Sequence, residues 1–171
     1  EATVEIIHVG MGDPACAKKV CQKAFSTLTR HPVQLPQTDI QMDSEPVKNV
    51  IERFNVTQSK LCFGFKSDIK PDSKLLNPMR MAVAILGGTP TSKLFLNVRE
   101  KKSLCYYCAA RFDRTKGIMM IDSGVEHDKI DEAKEAILEQ LQAVCEGDFT
   151  DTDMEFASLS LQNSFRSMGE S

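Results

Sequence analysis

Residues 86–107, which read LGGTPTSKLFLNVREKKSLCYY, constrain the fold of this chain more than any other segment. The Gly87-Gly88 pair predicts the end of one helix, and the Thr-Pro that follows predicts the start of a second helix that runs to about Lys101. A strand then opens at Leu104. The segment must therefore bring the ends of two helices next to the beginning of a strand.

Arg99 and Tyr106 stand on either side of this helix-to-strand junction. An Arg in the last helical turn and a Tyr early in the next strand can point into one concavity, where they could hold a peptide carbonyl and its developing oxyanion. Two plainer interpretations stay open on the residues alone. A cation in the last turn complements the helix dipole, and a tyrosine is common in strands.

Hydrophobic periodicity and turn residues predict an α+β fold, with an antiparallel or mixed sheet covered by helices. The predicted helices cover residues 13–28, 75–86, 89–101, 130–144 and 150–168. The predicted strands cover 4–9, 48–55, 60–65, 104–112 and 117–123, and a long loop covers 29–46. Apolar stripes predict that the last two helices pack on the sheet, with Leu141 and Phe165 in the core. The length predicts a single domain, residues 1–171.

Composition excludes some classes of partner. The net charge of -3 provides no basic field, which argues against nucleic acid. No apolar run approaches the roughly 20 residues of a membrane span, so we expect no membrane segment. The 6 cysteines belong to a chain that is long enough to form a core without disulfides. We therefore expect reduced thiols and a cytoplasmic protein.

No metal-binding motif is complete. The inverted zinc motif H-x-x-E-H would need a histidine at Ser123, ahead of Glu126 and His127. Cys105 and Cys108 form a C-x-x-C, but residues three apart on a regular strand point to opposite faces. We therefore expect two separately packed thiols rather than a zinc or redox pair. No cofactor and no metal site are expected in this chain.

Several spaced elements resemble the signature of the pitrilysin/insulinase family of zinc peptidases, which includes the mitochondrial processing peptidases. The family pattern has an apolar helix, Gly-Gly, Ser-Arg/Lys-Leu-Phe, Arg-Glu-Lys and, after a short gap, Leu-x-Tyr. In this chain these elements are residues 87–88, 92–95, 99–101 and 104–106. The opening Gly12-Asp13 and the closing helices match as well, so the resemblance covers nearly the whole chain.

The resemblance implies a LuxS/processing-peptidase-like metallohydrolase fold, and within it the second, C-terminal-type domain, which has no zinc ligands. In the family, that domain lends an Arg and a Tyr to the substrate chamber, and these positions fall on Arg99 and Tyr106. The expected partners are a peptide substrate and a zinc-bearing domain or subunit that is not in this chain. A dimer is expected for the full-length protein, and no catalytic residue is expected here.

Two functions follow as expectations from the resemblance. The first is a substrate-binding, chamber-closing domain of a zinc metalloendopeptidase-like protein that takes part in peptide hydrolysis. The alternative is a non-catalytic partner or scaffold subunit of a peptidase-like complex, of the type that the family has in bacteria.

Overall fold

The computed structural model describes residues 6–29 and 46–169. These fall into two compact units, one within residues 1–37 and the other within 38–170. The helix of the first unit is α1, Pro14–Ala24, and none of its residues is buried. The Asp13 carboxylate accepts a hydrogen bond from the backbone N–H of Ala15 at 2.9 Å, which confirms the predicted cap.

The second unit contains three strands and the remaining helices. The strands are β1 (Ser59–Lys66), β2 (Cys105–Asp113) and β3 (Ile118–Val125). The helices are α2 (Leu76–Val83), which continues into a wider π-type turn (Ala84–Gly88), a π-helix (Leu94–Lys101), α3 (Ile130–Cys145) and α4 (Asp151–Gly169). A 3-10 turn, His127–Lys129, precedes α3. Among the residues that the structure describes, no helix is long and apolar enough to cross a membrane.

The sheet has the order β1-β3-β2, and both pairings are antiparallel. Alternate residues of each strand point to the same face of the sheet, and the residues on one face are apolar. The fully buried Ile121 of the central strand lies between Phe63 on β1 and Ala110 on β2, and all three belong to the main core. The predicted α+β class, with helices against an antiparallel sheet, is confirmed.

The two long C-terminal helices pack differently from each other. On α3, the buried Ala133 and Ile137 and the partly buried Leu141 join the sheet core, as the periodicity predicts. On α4, the buried Ala157 packs against the turn Ala84–Gly88 instead of the sheet. The prediction that Phe165 is a core residue is wrong. Its side chain is half exposed, with its ring face 5.4 Å from the guanidinium carbon of Arg80.

Two predicted strands are not strands in the structure. Residues 46–58 form no strand, although the predicted strand 48–55 contains Val50, Ile51 and Phe54. All three side chains are exposed, and β-branched or aromatic residues form strands only where a neighbouring strand and a buried face are present. Of the predicted strand 4–9, the described part, residues 6–9, is exposed and is not a strand. The predicted loop 29–46 lies almost entirely outside the described residues.

The helix that was predicted to begin at Thr89 begins later. A turn forms first, in which the N–H and the hydroxyl of Ser92 both donate to the carbonyl of Thr89, at 3.1 and 2.6 Å. The π-helix then runs from Leu94 to Lys101. The Thr-Pro signal therefore marks this turn, and the helix follows it.

The start of α4 is fixed by a reciprocal cap. The Thr150 backbone N–H donates to the Asp153 carboxylate at 2.8 Å, and the Asp153 backbone N–H donates to the Thr150 hydroxyl at 3.2 Å. The sequence Thr-Asp-Thr-Asp predicts this box, with Asp in place of the usual Glu. The hydrogen bond from the Thr150 backbone is the largest influence lowering the pKa of Asp153.

We expect Thr150→Ala to lower the free energy of unfolding by about 1 kcal/mol, because one N-terminal N–H of α4 loses its acceptor. The exposed Thr152→Ala on the same turn is the matched control. Since the pKa of Asp153 is lower in the folded state, its contribution is present above the unfolded carboxyl pKa of about 3.9 and is lost as the pH falls. Urea unfolding at neutral and acidic pH measures both effects. Equal stability of the two variants would contradict the cap.

Candidate functional site

A β-bulge at Tyr106 shapes the candidate site. Cys105 pairs with Val125 and Tyr107 pairs with Gly124, so Tyr106 is an extra residue that faces no partner on β3. A bulge of this kind bends the strand and turns a side chain away from the regular alternation. The Tyr106 side chain is 59% exposed, although it lies only one residue from the partly buried Cys105.

The Tyr106 hydroxyl lies near an ion pair at the end of β3. Its oxygen is 3.4 Å from a carboxylate oxygen of Glu126, a long hydrogen bond in which the phenol donates. The other carboxylate oxygen of Glu126 lies 3.0 Å from the Lys129 ammonium. The hydrogen bond to Glu126 is the main cause of the raised pKa of Lys129. The phenol is therefore held by one weak contact and is free to donate to a better acceptor.

Arg99 lies in the last turn of the π-helix, where the sequence predicts a helix end. Its guanidinium carbon stands 4.6 Å from the centre of the Phe95 ring, a cation–π contact within one helical turn. A guanidinium nitrogen is 3.7 Å from the carboxylate of Glu100, and the Arg99 side chain is 39% exposed. The ring packs against the guanidinium, and part of the donor fork stays accessible to solvent.

The structure brings Arg99 close to the strand that carries Tyr106. The positive charge of Arg99 is one of the influences that lower the pKa of Cys105, the residue directly before Tyr106. Among the described residues, no contact joins the Arg99 and Tyr106 side chains themselves. That the two side chains share one concave surface stays a prediction.

The partial zinc motif lies on a strand and a turn. Ser123 is fully buried in β3, Glu126 follows the strand, and His127 opens the 3-10 turn. The two ring nitrogens of His127 contact the Ser59 hydroxyl at 2.5 Å and the Val56 carbonyl at 3.0 Å. These three residues therefore do not face one point in space, and His127 joins two neighbouring segments of backbone. No group of three or more metal-ligating side chains occurs within residues 6–29 and 46–169.

The prediction that Cys105 and Cys108 point to opposite faces is wrong. The bulge adds one residue between them, so Cys105 lies opposite Val125 and Cys108 lies opposite Ser123, on the same face of β3. Each of the two cysteines is the largest influence on the pKa of the other. Sequence reasoning missed this pair and the Glu126 contact because both depend on the bulge. The available signal is the exposed Tyr-Tyr doublet, which interrupts the alternation of apolar and polar residues.

Comparison with known proteins shows similar chains in several bacteria. The chain is 33% identical, over 151 residues, to "Probable inactive metalloprotease YmfF" of Bacillus subtilis (strain 168). The match covers 88% of this chain and 35% of YmfF, so the chain spans about a third of that relative's length.

Solved structures share the fold. A conserved protein from Enterococcus faecalis V583 is 30% identical, with a TM-score of 0.66 over 71% of this chain and 29% of that chain. A protease from Helicobacter pylori is 17% identical, with a TM-score of 0.74 over 95% of this chain and 41% of that chain. A peptidase M16 inactive domain from Pseudomonas fluorescens is 21% identical, with a TM-score of 0.60 over 65% of this chain and 27% of that chain.

A family profile identifies the domain type. The profile described as "Peptidase M16 inactive domain" matches residues 2–161, which is nearly the whole chain. This match agrees with the inactive metalloprotease relative, and it confirms the resemblance to the zinc peptidases that the Gly-Gly, Arg-Glu-Lys and Leu-x-Tyr elements indicate. The chain belongs to the peptidase M16 family, as a domain of its inactive type.

Proposed function

We propose that this chain is the peptide-binding, chamber-closing domain of an M16 peptidase-like protein. The observation that carries the proposal is the bulge, which turns the Tyr106 phenol outward and leaves it with one long contact, to Glu126 at 3.4 Å. A buried structural tyrosine would have its hydroxyl satisfied by a short hydrogen bond. An exposed phenol with one weak partner is suited to donate to a bound substrate.

Arg99 would supply the second contact. Its guanidinium is supported by the Phe95 ring and is partly exposed, so a carbonyl oxygen of an extended peptide can accept from its fork of N–H donors. Tyr106 would then donate to the oxygen that becomes negatively charged during peptide hydrolysis. Arg99 would bind the intact peptide, and Tyr106 would act mainly on the transition state.

The sheet offers a place for the peptide backbone. Within the sheet that the structure describes, β2 is an edge strand and carries the bulge. An extended peptide can add to such an edge through main-chain hydrogen bonds, which give affinity with little sequence preference. This mode suits a domain that handles peptides of many sequences.

Zinc does not fit the described residues of this chain. We therefore assign zinc to another domain or to a partner subunit, with a dimer as the expected assembly. The second candidate is a non-catalytic partner or scaffold subunit, which is favoured by the description of YmfF as an inactive metalloprotease. The two candidates differ in whether the same polypeptide carries H-x-x-E-H.

All six cysteines are free thiols, which suits the reducing cytoplasm where we place the protein.

Peptide binding to the whole protein tests the proposal. We expect Arg99→Ala to weaken the binding of a fluorescein-labelled, unfolded peptide about tenfold, because a charged donor to the peptide carbonyl is lost. Tyr106→Phe should leave the affinity within about twofold, since its hydroxyl acts mainly on the transition state. Fluorescence anisotropy measures both dissociation constants.

The exposed Arg114→Ala in the turn between β2 and β3 is the control for loss of one positive charge. It should bind like the parent protein. Equal weakening in Arg99→Ala and Arg114→Ala would show nonspecific charge attraction and would contradict a site at Arg99. Circular dichroism melting of each variant shows that the fold is retained.

A further inference from the structure

The two thiols beneath the bulge form a cluster that the peptide-binding proposal does not use. Cys108 is buried, 5% exposed, in the core between the sheet and the helices, and Cys105 is partly buried at the edge of the same core. The fully buried Ser123 lies opposite Cys108, and its hydroxyl donates to the Tyr107 carbonyl at 2.8 Å. The cluster therefore has one thiol that solvent can reach and a second thiol immediately behind it.

The environment favours the thiolate form of the outer cysteine. The pKa of Cys105 is lowered to about 7, chiefly by the hydrogen bond from the Cys108 thiol and to a smaller extent by Ser123 and by the Arg99 charge, while burial acts in the opposite direction. The pKa of Cys108 is raised, first by its hydrogen bond to Cys105 and then by burial. Cys108 thus keeps its proton and donates a hydrogen bond to the sulfur of Cys105. A thiolate that is stabilised in this way is a nucleophile near neutral pH.

We propose that Cys105 and Cys108 form a peroxide-reactive dithiol, in which Cys105 is oxidised first and Cys108 closes a reversible disulfide with it. The outer position of Cys105 admits a small oxidant. The bulge places the second thiol next to the first on the same face of β2. This inference does not depend on the proposed peptide-binding role of Arg99 and Tyr106.

The chemistry proceeds in two steps. The Cys105 thiolate attacks a peroxide oxygen, an S–O bond forms, the O–O bond breaks, and the leaving hydroxide takes a proton to become water. The sulfur is oxidised by two electrons to a sulfenic acid, and the peroxide is reduced. The Cys108 sulfur then attacks the Cys105 sulfur, an S–S bond forms, and the hydroxide leaves with the Cys108 proton as a second water. A small dithiol reductant reverses the bond by thiol–disulfide exchange.

The sequence offers an internal comparison for each measurement. Trypsin cleaves after Lys102 and Arg111, which releases both thiols in one peptide, residues 103–111. It also cleaves after Lys60 and Lys66, which releases residues 61–66 with Cys62 as the single thiol. Cys62 is exposed on the opposite face of β1, away from the dithiol.

The test treats the whole native protein with hydrogen peroxide, blocks the remaining thiols under denaturing conditions, and weighs the tryptic peptides. We expect peptide 103–111 to lose two hydrogen atoms and to regain them with dithiothreitol, at a peroxide dose that leaves Cys62 in peptide 61–66 reduced. In Cys108→Ser, Cys105 should instead be trapped as a sulfenic acid by dimedone. The proposal is overturned if Cys62 is oxidised first, or if the 103–111 peptide goes directly to irreversible oxidation products.

A second measurement is independent of disulfide geometry. The rate of Cys105 alkylation by iodoacetamide in the native protein should rise with pH to a midpoint near the pKa of about 7. In Cys108→Ala the midpoint should move upward, because the sulfur loses the donor that contributes most to the shift. A midpoint at the ordinary thiol value of about 8.5 in both proteins would contradict the proposed activation of Cys105.

Discussion

Gly87→Ala should lower the free energy of unfolding by about 3 kcal/mol, the upper range for overpacking a close-packed core. A methyl group at Gly87 would lie 2.6 Å from the backbone nitrogen of Ala110, 2.9 Å from its Cβ and 2.8 Å from Cδ1 of Leu94. The Leu94 side chain can rotate, but the backbone of Ala110 belongs to β2 and is paired with β3. The end of the helix would therefore have to move away from the sheet. Urea unfolding of the purified variant measures this loss.

Gly88→Ala is the matched control one residue later. A methyl group there would lie 3.4 Å from the Val83 carbonyl oxygen and 3.5 Å from the Cβ of Ala84, which is close to ordinary contact. We expect it to cost less than about 1 kcal/mol. Adding Leu94→Ala to Gly87→Ala should not restore stability, because the contact with Ala110 remains. Equal loss in Gly87→Ala and Gly88→Ala would contradict the close approach of the helix end to β2.

This pair of glycines shows how far the sequence determines the fold. The Gly-Gly signal predicts a helix end, and the helix does end there. The pattern cannot predict that a methyl group is excluded at Gly87 and tolerated at Gly88. This difference depends on the distance to Ala110, on a strand more than twenty residues later. Local signals such as the Thr150–Asp153 cap are readable because all of their partners are adjacent in sequence.

The sequence likewise predicts some features of the candidate site and not others. The identities of Arg99 and Tyr106, and the helix end and strand on which they lie, follow from the family pattern and from helix and strand signals. The bulge does not, because strand periodicity assumes two residues per repeat and the extra residue becomes visible only when β2 is aligned with β3. The bulge has two consequences, the outward Tyr106 and the contact between Cys105 and Cys108. The sequence alone does not predict the first, and it predicts the second incorrectly.

The strand prediction for residues 48–55 is wrong for a related reason. Val50, Ile51 and Phe54 have strand propensity, but propensity describes the fit of a side chain to a pleated, half-buried surface. The described residues give this stretch no neighbouring strand, and its side chains are exposed. Residues 60–65, by contrast, alternate between apolar and other residues and form β1, because β3 supplies paired positions beside them.

Ile137→Ala should lower the free energy of unfolding by about 2–5 kcal/mol, the range for deleting a large buried aliphatic side chain. Ile137 is fully buried on α3 and belongs to the core that joins this helix to the sheet. Urea unfolding should show this loss with an unchanged m value.

Phe165→Ala provides the contrast, because periodicity alone places both residues on core-facing stripes. The Phe165 ring is 48% exposed, and its contact with the Arg80 guanidinium is a surface cation–π contact worth about 0.5–1 kcal/mol. Its loss should cost about 1 kcal/mol, well below the loss for Ile137→Ala. A loss in Phe165→Ala as large as that in Ile137→Ala would mean that the ring is covered in the folded protein, and that α4 packs along its whole stripe as the periodicity predicts.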